Sequence, residues 1–112
     1  QETSALQVWK QLSIYTSESS RSGTRPLHTA IVATALEQGL YSAIAIAAME
    51  GFGPQMAIPT ANQMALASDL PIEVRILAEP DAINTFLASQ KDLLTGCIIV
   101  LSEVEVFWAP MT

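Results

Sequence analysis

The chain has 112 residues, half of them hydrophobic and 14% charged, with 5 Lys+Arg against 11 Asp+Glu and a formal net charge of −6. That is one domain's length and too apolar for a disordered chain, and the acidic balance disfavours nonspecific nucleic-acid binding and polybasic membrane docking. One Cys and one His exclude an internal disulfide and a zinc site built within one copy, and no apolar run reaches the roughly 18 residues of a spanning helix. The start lacks Met and a charged-then-apolar signal pattern, which reads as a trimmed fragment. The apolar excess suggests surface covered by other subunits.

In chain order, residues 1–7 have no clear period and fray or extend a strand; they are expected to be extended or disordered. Residues 8–15 alternate loosely, with Leu12 and Ile14 on one face and Trp9 and Tyr15 on the other, and predict a first strand. Residues 16–24, rich in Ser, Thr and Gly, predict a loop. Pro26 is expected at the first helical position with Thr24 or Arg25 at the cap. Leu27, Ile31 and Ala35 then recur at i, i+4 and i+8 and mark a helical stripe, which Gly39 ends.

Residues 42–49 are apolar on both faces. A helix competes because Ala is the best helix former, but the close turn signals at both ends favour a strand. Gly51-Phe52-Gly53-Pro54 stops it. Residues 54–69 form a connection too long and apolar for a plain hairpin, and such loops are usually functional or disordered. Residues 70–77 alternate cleanly, Ile72, Val74 and Ile76 against Glu73, Arg75 and Leu77, and predict a half-buried strand. Pro80 opens a second helix with Ile83, Phe86, Leu87 and Leu94 on its stripe and Asp81 near its positive end; Thr95-Gly96 closes it. Residues 97–101 are apolar on both faces. Residues 103–108 alternate and either continue that strand or form a fifth.

The expected fold class is therefore α+β: a ferredoxin-like βαββαβ unit over residues 8–108, an antiparallel sheet with two helices on one face, followed by a tail at 109–112. In that topology the second and fourth strands, the most apolar of the chain, lie on the outer edges. Exposed apolar edges invite pairing with other copies.

Leu12-Ser-Ile-Tyr15, Arg25-Pro-Leu-His28, Glu50-Gly-Phe-Gly53 and Ser68-Asp-Leu-Pro-Ile-Glu-Val74, in that order and spacing, resemble the uncharacterised family catalogued as domain of unknown function 190. Its fold is similar to the PII signalling proteins. The resemblance implies a homotrimer, a small-molecule ligand at the clefts between subunits, and a protein partner docked through the long loop at 54–69. It also implies a cytoplasmic setting and, because the family is often encoded beside or fused to a fluoride exporter, a membrane transporter as candidate partner. A PII protein holds nucleotide phosphates with Gly-x-Gly-Lys before the fourth strand. Here Leu94-Thr-Gly-Cys97 keeps the second glycine, Gly96, but replaces the lysine by Cys97. Lys91 is the last basic residue, so ATP is not carried over. Ile58-Pro59-Thr60 stands where relatives often have Ile-His-Thr.

Gly51, Phe52 and Gly53 are candidates for a ligand cleft, since glycine admits close approach and the aromatic between them can cover a ligand; the alternative is a turn with Phe52 filling the core. Arg21 and Arg25, entering a helix N-terminus, could hold an anion, against a solvated loop with surface salt bridges. Thr95 and Gly96 are candidates by the PII resemblance. Met56, Ile58 and Met64 are the loop's candidate partner contacts, or they pack back on the sheet. His28 reads as a surface or capping residue, Cys97 as a small core hydrophobe, and Glu50, Glu103 and Glu105 as a solvated face. No nucleophile–base pair, phosphate loop or metal cluster is visible. No catalytic residue, metal or cofactor is therefore assigned. The leading function is a non-enzymatic PII-like regulator. The alternatives are a structural interaction subunit without a ligand, an enzyme, or a metal binder like the CutA proteins, which share the fold.

Overall fold

A computed structural model describes residues 6–53 and 69–108. The first strand, β1 (Leu6–Ser17), is longer than expected at both ends and takes in residues 6 and 7. A tight reversal follows: β2 (Arg21–Ser22) pairs with β3 (Arg25–Pro26) around Gly23 at φ 65°. A plain loop was expected here. Glycine supplies the left-handed turn that two short strands need, and so the Ser-rich stretch closes into a ladder.

Helix α1 (Leu27–Glu37) consequently starts one residue later than expected, with Pro26 in extended geometry at the cap position and no side-chain cap. The Leu27 amide, one of the first helix donors without an intrahelical partner, is satisfied instead by the Ser20 carbonyl at 2.8 Å. Gly39, at φ 75°, ends the helix as expected.

The ambiguous apolar stretch is a strand, β4 (Ser42–Ala47), followed by β5 (Pro71–Ala78). Helix α2 (Pro80–Ser89) begins at Pro80 with Asp81 in its first turn. It stops before the expected Thr95-Gly96. Residues 90–96 are turns, and Leu94 reaches the core from outside the helix. The last strand is one continuous β6 (Ile98–Phe107), which takes in the alternating residues 103–107, with no separate strand after it among the described residues.

The sheet order is β4-β5-β1-β6, antiparallel throughout. This is the ferredoxin-like α+β arrangement, with the β2–β3 ladder added and β4 and β6 on the edges. Register assigns the faces. Leu12 lies opposite Ile76 and Leu101, and Ile14 opposite Val74 and Ile99. Leu12, Ile14, Val74 and Ile76 share one core cluster with Leu27, Ile31 and Ala35 of α1 and with Ile83 and Phe86 of α2, so both helices cover the same face. Phe86, Leu12, Ile14, Ile31 and Ile83 are fully buried. At roughly 1.5–3 kcal/mol per buried large apolar side chain, this layer is the principal stabiliser of the subunit.

The other face carries Ser13, Tyr15, Glu73 and Arg75 in the middle of the sheet and Ile44, Ile46, Ile98 and Val100 on the edge strands. No helix covers it among the described residues, and all four edge side chains are exposed.

Candidate functional site

The strand ends bring the candidate residues to one end of the molecule. Tyr15 stands opposite both Glu73 and Ile98, and Ile46 is opposite Glu73. β4 ends there and runs into Glu50-Gly51-Phe52-Gly53, and β5 enters there at Pro71. The Ala48 amide bonds the Pro71 carbonyl at 3.0 Å and holds the two chain ends together. Gly51 has φ 135°, a conformation that side-chain-bearing residues rarely adopt, and this re-aims the chain after the strand. On the β1 side, Asp69 clamps the exit loop: it accepts from the Ser19 amide at 3.1 Å and from the Ser19 hydroxyl at 2.7 Å.

The result is a cleft of about 250 Å³ on the helix-free face, lined by Tyr15, Ile46, Ala48, Glu50, Gly51, Phe52, Gly53, Pro71 and Glu73. Phe52 does not fill the core. It is 80% exposed and stands at the cleft's edge. The same strands place a carboxylate in the wall. Arg75 donates to Glu73 through Nε at 3.1 Å and Nη2 at 3.2 Å, a bidentate pair. The Arg75 hydrogen bond holds the Glu73 carboxyl below its ordinary range; burial opposes this, and Ser13 adds a smaller lowering contribution. Glu73 is thus an anion and acceptor at neutral pH, and Glu50 is a second carboxylate in the lining.

Of the sequence candidates, Gly51, Phe52 and Gly53 come together here, and Glu50, solvent-exposed as expected, stands beside them in the lining. Arg21 and Arg25 are exposed on the β2–β3 hairpin, and neither lines the cleft. Thr95 and Gly96 are in the turn that leads to β6 at the same sheet end, also outside the lining. The Thr95 hydroxyl already donates to the Lys91 carbonyl at 2.9 Å. His28 is half-buried in the first turn of α1. Cys97 packs against the core, and burial pushes its thiol pKa up. Met56, Ile58 and Met64 lie outside the described residues. The sequence reading missed Tyr15, Ile46 and Glu73 as wall residues. Their shared face follows from alternation, but their meeting follows only from strand register. Among the described residues no group of three or more His, Cys, Asp or Glu is placed to hold a metal, and no helix is long and apolar enough to cross a membrane.

The fold has counterparts among solved structures. One is a protein of Thermus thermophilus assigned as a PII-like signalling protein: TM-score 0.61, 13% identity, covering 91% of this chain and 92% of that one. CPII of Thiomonas intermedia K12, in a structure bound to ADP, AMP and acetate, gives a TM-score of 0.59 at 13% identity and covers 90% of each chain. Its apo form, described as a nitrogen regulatory PII-like protein, gives 0.59 at 12% identity, covering 93% of this chain and 97% of that one. At these identities the likeness is one of fold. The profile of one family, DUF190, described as "Uncharacterized ACR, COG1993", matches residues 9–106, and the chain belongs to that family.

Proposed function

We propose that this chain is a non-enzymatic, PII-like regulatory protein whose residues 8–108 form one domain and whose working unit is a homotrimer. Each cleft beside Gly51-Phe52-Gly53 lies between subunits and takes a small ligand. The segment 54–69 that leaves this cleft is read by a protein partner, for which a membrane transporter such as a fluoride exporter, met from the cytoplasm, is the candidate. The observation that carries the reading is Phe52: a large aromatic held in water at the rim of an apolar cleft, between two glycines, at the start of that segment. A ligand that covers Phe52 favours one arrangement of the segment over others, and this differential affinity is all that a population shift requires.

The charges divide the ligand's contacts. Glu50 and Glu73 make the cleft a host for hydrogen-bond donors and apolar rings. An anionic group would be held instead by Arg21 and Arg25 on the hairpin at the same sheet end, with Thr95 and Gly96 as further contacts. Adenine mononucleotides, which CPII binds, are the first compounds to test. Titration calorimetry with AMP, ADP and bicarbonate should give saturable heats that Phe52→Ala and the double variant Arg21→Ala/Arg25→Ala weaken. Silence across a wider metabolite panel, with partner capture retained, would replace this reading by a structural interaction subunit. The two cleft carboxylates are the observation that favours that second reading.

A further inference from the structure

At the opposite end of the sheet, where β4 begins and β5 ends, three aromatic rings meet. Trp9 and Tyr41 have centroids 5.0 Å apart at 76°, Trp9 and Trp108 5.8 Å at 73°, and Tyr41 and Trp108 5.4 Å at 90°. Beside them is a cavity of about 310 Å³ lined by Trp9, Gly39, Tyr41, Ala78, Glu79 and Ala82. The sequence analysis assigns none of these residues to a binding site, and the cleft described above does not use them. We infer that this cavity is a binding site for an organic cation, a quaternary ammonium or alkylated amine.

Tyr41, 57% exposed, supplies the accessible π-face, which attracts a cation within about 6 Å of the ring centroid, and the buried Trp9 packs against it. The Trp9 indole N–H donates to the Gln7 Oε1 at 2.8 Å and so is not a donor for a ligand. Glu79 is the single charged residue in the described lining, and it contributes a carboxylate. Asp81 stands two residues beyond it, and the two carboxylates outweigh the half-charge of the α2 N-terminus. Lys10, the nearest cation in sequence, stands directly across from the lining residue Ala78, with Glu103 across from it on β6 as its counter-charge. The cavity has ample room for a trimethylammonium head, since an apolar cavity of about 150 Å³ holds benzene. The chain's net charge of −6 adds long-range attraction.

The test uses the chain's two tryptophans, Trp9 and Trp108, both of which belong to the cluster, read by selective tryptophan excitation so that Tyr15 of the other cleft does not contribute. The intact protein is titrated with choline chloride against sodium chloride at equal ionic strength, and with 3,3-dimethylbutan-1-ol, the uncharged isostere of choline. We expect a saturable choline response at millimolar concentration and binding of the isostere about ten-fold weaker or less. Tyr41→Ala and Glu79→Gln, both at exposed positions, should each weaken choline several-fold while leaving the far-ultraviolet circular dichroism unchanged. Equal binding of choline and its isostere, no saturable response of the wild type, or folded variants that bind like the wild type would overturn the inference.

Discussion

If the helix-free face is covered in an assembly, a charge placed on it should act on association and not on the subunit. Val100 is the best position. It is on edge strand β6 opposite Ser13, with no charged cross-strand partner to capture or repel a new ammonium. Ile44, Ile46, Ile98 and Val100 are 49, 37, 44 and 46% exposed. Fully burying such a side chain is worth about 1.5–3 kcal/mol, so covering the remaining half of each is worth roughly 1 kcal/mol. Val100→Lys loses that contribution and leaves an ammonium on an apolar face, for a combined cost of about 3–5 kcal/mol per interface. Each 1.4 kcal/mol is tenfold in the association constant, so association should weaken by about a hundred-fold or more. In a separate subunit the same change on a half-exposed edge costs about 0.5 kcal/mol or less. Sedimentation velocity at micromolar concentration should give a trimer for wild type and for the shape-conserving Val100→Thr, and a single folded copy for Val100→Lys. A wild type that sediments as one copy, or a Lys variant that keeps the wild-type mass, would refute the reasoning.

Phe86→Ala removes the largest fully buried side chain and should lower the unfolding free energy by about 3–5 kcal/mol in urea titrations. Gly39→Ala should cost about 1 kcal/mol purely through backbone strain at φ 75°, because an added Cβ there meets nothing within 4 Å; Gly39→Asn should cost less. The Glu73–Arg75 pair gives a pH test. The folded-state pKa of Glu73 is depressed, so its stabilisation is present above the ordinary value of 4.5 and is lost as the pH falls through the lower folded value. Arg75→Met should return the Glu73 carboxyl towards its ordinary range in an NMR titration and remove that acid-side slope. The effect on total stability should be small, because the pair is solvent-accessible.

The sheet and helices were legible because alternation and helical spacing are local signals. Ile72, Val74 and Ile76 announced a one-sided strand, and Leu27, Ile31 and Ala35 a helix face. The Ala-rich β4 was ambiguous from propensity alone, since Ala favours helices. Its strand state is fixed by pairing with β5, a partner about thirty residues away in sequence. The β2–β3 ladder was missed because four strand residues around a glycine carry no period. Half of the cleft was visible as Glu50-Gly-Phe-Gly53. The other half needed register, because nothing near Tyr15 in sequence announces Glu73 as its neighbour.

The position of β1 has a consequence for biogenesis. Within this sheet it is the first strand synthesised, and one of its two hydrogen-bonding edges is completed only by β6, the last of the four to leave the ribosome. Until then a twelve-residue ribbon with Leu12 and Ile14 on it carries bare amides and carbonyls along one side. Closure therefore waits for the far end of the domain and spans nearly its whole length, which makes folding slow relative to a helical domain of equal size. The nascent chain is exposed in that interval to strand exchange with its neighbours on the same message.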